Sequence, residues 1–320
     1  MVQISRVWPA REPGLRWCAG VVAAMPDTDP AQLVEPVRVV SDVHLLHPGT
    51  RARSVASLEG VIAGAGTVVF NGDTFEQREP FHRVQWEHCQ DSLRDLCARE
   101  GAGCLFIRGN HDPQAGDHQW LDLCGGEVWV THGDVLYDDI SPWSHELMRG
   151  NLRRQLKQRL ADENDRIGDD LAARMQLTQW AREQLKAQPP RIHPGLRGRI
   201  YTVMAECWPP MRPFQILRVW TRSHLHADAV RQRFRPDARV VIHGHTHFPS
   251  VRRSNGVTVV NTGSFHTLSR PWVADIQGRE MKVLRARNQP HGWDLSGGVI
   301  ATVELTRPDL AGPVQAGPEA

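Results

Sequence analysis

The sequence predicts an α/β fold, and three observations predict it. Five short β-branched or apolar runs, Val37 to Val40, Thr67 to Phe70, Cys104 to Ile107, Glu127 to Val130 and Arg239 to Ile242, have the length and composition of strands. Each runs into a polar loop of Asp, Asn, His and Gly. A helical pattern over about 82–100 separates two of the runs, as in an alternating α/β chain. Strands that end in polar loops project side chains from the carboxyl edge of a sheet, where open α/β folds place their sites.

The elements follow in order. Residues 1–36, rich in Pro, Ala and Arg, read as an extension with little regular structure, and a first core segment spans 37–140. Residues 141–236 read as a helical insertion. Leu152, Leu156 and Leu160 recur every four residues and mark one apolar stripe, with Arg153, Arg154, Lys157 and Arg159 on other faces. A second helix over about 169–187 is expected to stop before Pro189-Pro190. An aromatic and Arg-rich stretch with Trp208, Phe214, Trp220 and Phe234 follows. The core resumes over 237–305 with the Thr258 to Asn261 strand and a hairpin-like pair around Gly278. The tail over 306–320, rich in Pro, Gly and Ala, is expected to be disordered.

The net charge is only +2, but residues 141–236 hold eighteen Lys or Arg against nine Asp or Glu, a net of +9 that leaves −7 elsewhere. A basic segment beside an acidic body suits an anionic partner. A solvated basic helix face is the plainer reading of the same charges. The six cysteines show no C-x-x-C pair and no disulfide-like spacing, which fits a reducing compartment and a cytoplasmic protein. Trp17 to Met25 is too short and too poorly flanked to read as a signal peptide, and no stretch approaches the ~20 apolar residues of a membrane span.

The loops carry five motifs: Ser41-Asp42-Val43-His44, Asn71-Gly72-Asp73, Gly109-Asn110-His111-Asp112, Thr131-His132-Gly133-Asp134 and Gly244-His245-Thr246-His247. Singly, most of them are ordinary turn sequences. In series they supply a mixed nitrogen and oxygen donor set, the right number and type for two divalent cations sharing one carboxylate.

That order resembles the calcineurin-like metallophosphoesterases, whose pattern runs D-x-H, G-D, G-N-H-[DE], H and G-H-x-H. The likeness spans roughly 37–270, interrupted by the insertion, and implies a β-sandwich core flanked by helices. It further implies that Asp42, His44 and His247 hold one metal, that Asn110, His132 and His245 hold the other, and that Asp73 bridges them. The implied reaction is attack of a metal-bound hydroxide on a phosphoester or pyrophosphate. Manganese is the first expectation for the cations, with iron, zinc and cobalt also accepted by these donors. In the family the residue at His111 stands near the leaving-group oxygen, and an acid three positions after the bridging Asp orients it; here that acid is Glu76. Arg153, Arg154 and Lys157 are the candidate substrate-binding residues of the insertion.

The His-Gly-Asp motif followed by a helical insertion is also similar to bacterial UDP-2,3-diacylglucosamine pyrophosphatases, which serve lipid A synthesis and contact membrane surfaces peripherally. That family commonly has Arg where this chain has His111. A nuclease or nucleic-acid-binding protein that uses the basic insertion is the alternative of another class, but no basic-aromatic binding module supports a stable nucleic-acid partner. The expected partner is a phosphorylated anion.

Overall fold

The structure, a computed structural model, describes residues 29, 32–77, 83–116, 118–142, 151–184 and 210–306. Most of the expected N-terminal extension, nearly all of the expected tail, the Pro189-Pro190 helix stop and Trp208 lie outside the described residues.

Two sheets face each other. The first runs β13-β10-β9-β1-β2-β3, with β1 (Val37–Val40), β2 (Thr67–Asn71) and β3 (Gly103–Ile107) mutually parallel. Its other half is antiparallel: β9 (Trp272–Gln277), β10 (Glu280–Arg285) and β13 (Val299–Glu304). The second runs β4-β5-β6-β8-β7, from β4 (Trp120–Leu123), β5 (Val128–Thr131), β6 (Val240–His243), β7 (Ser250–Ser254) and β8 (Val257–Asn261). Here β5, β6 and β8 are parallel and the two edge strands antiparallel. A small ribbon, β11 (Arg287–Gln289) with β12 (Gly292–Asp294), lies apart from both.

Alternation of side chains explains the layering. Val37, Val39, Val69, Leu105 and Ile107 of the first sheet share a buried core with Val128, Val130, Val240, Ile242 and Val260 of the second. The opposite face of the first sheet, with Val40, Val68, Phe70 and Phe106, is covered by α1 (Glu59–Ile62) and α2 (Arg83–Arg99). The opposite face of the second sheet, with Trp129, Val241 and Val259, is covered by helices of the insertion.

The described part of the insertion is three helices: α3 (Leu152–Ile167), α4 (Leu171–Gln184) and α5 (Arg212–Phe234). Leu156 is buried and Leu160 partly so, as the four-residue stripe requires. The sequence reads this segment as a helical insertion; the structure makes its helices the fourth layer of the sandwich. Among the elements that escape the sequence reading are β4, β7 and α5. The edge strand β7 is Ser-Val-Arg-Arg-Ser, with its last three residues exposed, so no apolar alternation marks it. The edge strand β4, Trp-Leu-Asp-Leu, lacks the β-branched residues that mark the equally short β1, β5 and β6. The 23-residue α5, opened by Pro213 in its first turn, carries so many Arg and aromatic residues that its helical period is masked.

Candidate metal centre

The five motifs meet at one end of the sandwich. Asp42 and His44 follow β1, Asp73 follows β2 and Asn110 follows β3, three adjacent parallel strands of the first sheet. His132 follows β5, and His245 and His247 follow β6, adjacent parallel strands of the second. Asn71 Nδ2 donates to Thr131 O at 2.9 Å and ties the two sheets at this end.

Two groups of side chains share Asp73. Asp42, His44, Asp73 and His247 form one, and Asp73, His132 and His245 the other, with the donor atoms of each group all within 4.8 Å of one another. In the first, His247 Nε2 lies 3.1 Å from Asp42 Oδ1 and 3.1 Å from His44 Nε2, and His44 Nε2 lies 3.7 Å from Asp73 Oδ2. In the second, His132 Nε2 lies 3.4 Å from Asp73 Oδ2 and 3.1 Å from Asn110 Oδ1. Partners behind the rings aim them. His132 Nδ1 donates to Asn71 O at 3.2 Å, and His245 Nε2 donates to Ile140 O at 2.5 Å, which leaves the other nitrogen of each ring as the lone-pair donor. Nitrogen and carboxylate oxygen atoms converging in a buried pocket with one shared carboxylate fit a divalent-metal site.

The local backbone is bent to reach this geometry. Asp42, His44, Asp73, His245 and His247 all have left-handed φ angles, between 51° and 66°, which non-glycine residues adopt at a cost and which cluster at functional sites. Two motif glycines follow from close approach: a Cβ at Gly109 would collide with Asp73 N and Oδ1, and one at Gly244 with Asp42 Oδ2. Asp112, the fourth residue of its motif, holds the loops in register. Its Oδ1 accepts from Asp73 N and Gly109 N at 2.8 Å each, and its Oδ2 from Thr74 N at 2.6 Å. Burial and the neighbouring Asp73 push its carboxyl up to about 8.

Burial and mutual charge set the other groups. Burial opposes a charge on His132, but Asp73 outweighs it and raises the ring to about 10. Burial also acts against the charge on Asp73, yet His132, His111 and His44 hold it well below the carboxylate range. Burial, reinforced by His132, lowers His245 to about 3, and burial with His111 keeps His44 well below 6.5.

His111 stands at the rim. Its Nδ1 lies 2.7 Å from Glu76 Oε2 and its Nε2 lies 4.0 Å from Asp73 Oδ2, while its backbone N donates to Asp73 Oδ1 at 2.7 Å. Glu76 is buried, and Arg78, the loop cation nearest it in sequence, lies outside the described residues. His44, Glu76 and His111 are themselves close enough to hold a cation.

The basic residues of the insertion lie further out. Arg153 pairs with Asp139 at 2.7 Å, one residue before the Ile140 carbonyl that His245 contacts. Arg154 is exposed and donates to Asn151 Oδ1 at 3.2 Å. Lys157 lines a cavity of about 500 Å³ between α3, α4 and α5, whose walls include none of the seven donors. The sequence reading missed a closer link. Asp134, two residues after His132, makes a two-pronged ion pair with Arg182 of α4, with bonds of 2.6 and 2.8 Å and both side chains fully buried. Asp134 stands in a quoted motif, but no sequence signal pairs it with a residue 48 positions away. Trp220 of α5 likewise donates to Thr246 O at 3.0 Å and stacks on Phe248.

A two-sheet sandwich with helices outside and histidine–aspartate groups at the strand ends defines the class of metal-dependent phosphoesterases. The sequence profile of the Calcineurin-like phosphoesterase family matches residues 35–249, more than half of the chain, and the chain belongs to that family. It is 27% identical over 229 residues to UDP-2,3-diacylglucosamine hydrolase of Stenotrophomonas maltophilia (strain K279a), covering 66% of this chain and 82% of that one. It is 26% identical over 256 residues to the protein of that name from Neisseria meningitidis serogroup C (strain 053442), covering 73% and 91%. Among solved structures, a conserved protein of Streptococcus pneumoniae TIGR4 described as a predicted phosphoesterase aligns over 84% of this chain and 97% of its own, at 16% identity and a TM-score of 0.33. The chain is a metal-dependent hydrolase of phosphoester or pyrophosphate bonds.

Proposed function

We propose that the two groups around Asp73 hold two divalent cations, manganese first, and that the scissile phosphorus sits over them. The observation that carries this reading is the shared Asp73 Oδ2, within 3.7 Å of His44 Nε2 and 3.4 Å of His132 Nε2. Such a pair of cations supplies Lewis-acid charge and makes hydroxide available near neutral pH. The protein's own residues do the rest. Asn110 contributes a neutral oxygen, which limits the negative charge facing a phosphate. Glu76 accepts from His111 Nδ1 and so turns Nε2 toward the cluster; it is the imidazolium form of the ring, protonated on both nitrogens, that gives its Nε2 proton to the leaving oxygen and is left neutral.

The favoured substrate reading follows the relatives, named for UDP-2,3-diacylglucosamine, and the His-Gly-Asp motif followed by a helical insertion. The basic insertion, with Arg153, Arg154 and Lys157, guides such an anion. A cytoplasmic location is supported by the free thiols of Cys89, Cys97, Cys104 and Cys124, and no described helix is long and apolar enough to cross a membrane. A substrate panel assayed with Mn²⁺ tests the reading: bis-p-nitrophenyl phosphate, a simple monoester, nucleotides and UDP-2,3-diacylglucosamine. Turnover of the last well above the others is expected. Hydrolysis of the diester without it would reject the substrate and keep the reaction class.

A further inference from the structure

Beyond the seven donors and His111, two more imidazoles line the rim. His47 lies with its ring centre 5.8 Å from that of His44 and 6.5 Å from that of His111. His266 lies 5.4 Å from His47 and 6.0 Å from His247. Neither belongs to a group of described side chains that could hold a cation. Both are partly exposed, so they form an open wall of imidazole beside the buried donors.

The wall is built. Residues 47–51 and 265–269 are stitched together by Arg51 N to Phe265 O at 2.9 Å, Thr267 N to Gly49 O at 3.0 Å and Arg51 Nη2 to Ser269 O at 2.8 Å. Ser269 Oγ in turn donates to His247 O at 2.5 Å, which ties the wall to a donor residue. The His266 ring packs so closely on Gly49 that a Cβ there would collide with its Nε2. Gly49 N donates to His47 Nδ1 at 2.9 Å, so the proton of the neutral His47 ring sits on Nε2 and makes that atom a donor. Besides burial, the groups that act on His266 are other imidazoles and the Arg51 guanidinium, with Arg270 near Arg51. The fixed positive charges near this corner are those of Arg51 and Arg270.

We infer that His47 and His266 form a subsite for a second oxyanion of the substrate, on the side of the cluster where His111 stands. The inference rests on the phosphohydrolase reading for what occupies the cluster, and it names what the neighbouring wall recognises. A ligand with one phosphoryl group reaches the cluster alone, whereas one with a second anionic group a bond or two away also meets the wall.

Calorimetry on the metal-loaded full chain separates the two, with orthophosphate and methylenediphosphonate as probes and bound metal measured in the same samples. His47→Gln with His266→Gln should weaken the diphosphonate about 10–100-fold, the scale of one or two hydrogen bonds to a charged group. Orthophosphate affinity, metal content and kcat for bis-p-nitrophenyl phosphate should stay within about threefold, because the donors are untouched. Gly49→Ala, which displaces the His266 ring without removing it, should reproduce part of the loss. Equal weakening of both anions, loss of metal, or no change in either anion would overturn the subsite. If the wild-type chain hydrolysed nothing yet kept its diphosphonate preference, the phosphohydrolase reading would fail and the subsite would stand.

Discussion

The rim of the sandwich and the insertion are built in opposite ways. At the rim, every donor comes within a few residues of a strand end, five of the seven (Asp42, His44, Asp73, His245 and His247) on backbone bent into left-handed φ angles, with partners from neighbouring loops. The insertion, with a net charge of +9 over 141–236, reaches the rim through tertiary contacts of its helices: Arg182 to Asp134, Arg174 to the Val135 and Tyr137 carbonyls, and Trp220 to Thr246. Chemistry is thus written in short local motifs, and access to it in contacts between distant elements.

Among rim residues that are not themselves metal donors, the largest effect is expected at His111. His111→Ala should lower kcat by roughly 10²–10⁴-fold, the range for a general acid, while metal content stays normal. The loss should shrink for substrates with good leaving groups, which need less protonation. Loss of metal instead would assign His111 and Glu76 to the third cation-capable group.

This division also explains what was legible in the sequence. Asp42-x-His44, Gly72-Asp73 and the Gly-His-Thr-His run are readable because each motif spans a single loop. The strand runs before them are readable because both faces of those strands are buried. Asp112 stood in a quoted motif without a role, since three of its backbone N–H partners, those of Asp73, Thr74 and Phe75, lie in another loop 37 to 39 positions away. His47 and His266 were invisible for the same reason: nothing local pairs a residue after β1 with one after β8.

The link between the two regions is the next test. Arg182→Met leaves the Asp134 carboxylate buried without its partner and should destabilise the protein by about 3–5 kcal/mol in denaturant unfolding. Replacing both by apolar residues should recover most of that loss. Burial opposes the ionised form of Asp134, but Arg182 outweighs it and holds the carboxyl below 3.8. The depressed pKa therefore contributes stability above pH 3.8 that is lost only as pH falls below it. A cost under about 1 kcal/mol for Arg182→Met, as for a surface pair, would detach the insertion from the rim in energetic terms.

The smallest effect is expected from the outer face of the insertion. Reversing Arg153, Arg154 and Lys157 to Glu should raise KM for the anionic substrate and weaken its salt dependence, with a small activated diester hydrolysed nearly as before. Equal effects on both substrates, or none, would make the insertion a structural layer alone.

The central claim is a pair of cations sharing Asp73, and metal uptake by the apo protein tests it most directly. Without a cation, His132 is raised to about 10 and so is charged at pH 7.5, while His44 and His245 are lowered and already neutral. Binding must therefore discharge His132, so at least one proton should be released and affinity should rise with pH. Calorimetry in buffers of different ionisation enthalpy, with hydrolysis of bis-p-nitrophenyl phosphate followed in parallel, should give two equivalents of Mn²⁺ and activity that appears only with them. Asp73→Asn should lose both the second equivalent and the activity. Full hydrolysis by the metal-free protein, or unchanged activity in Asp73→Asn, would contradict the account.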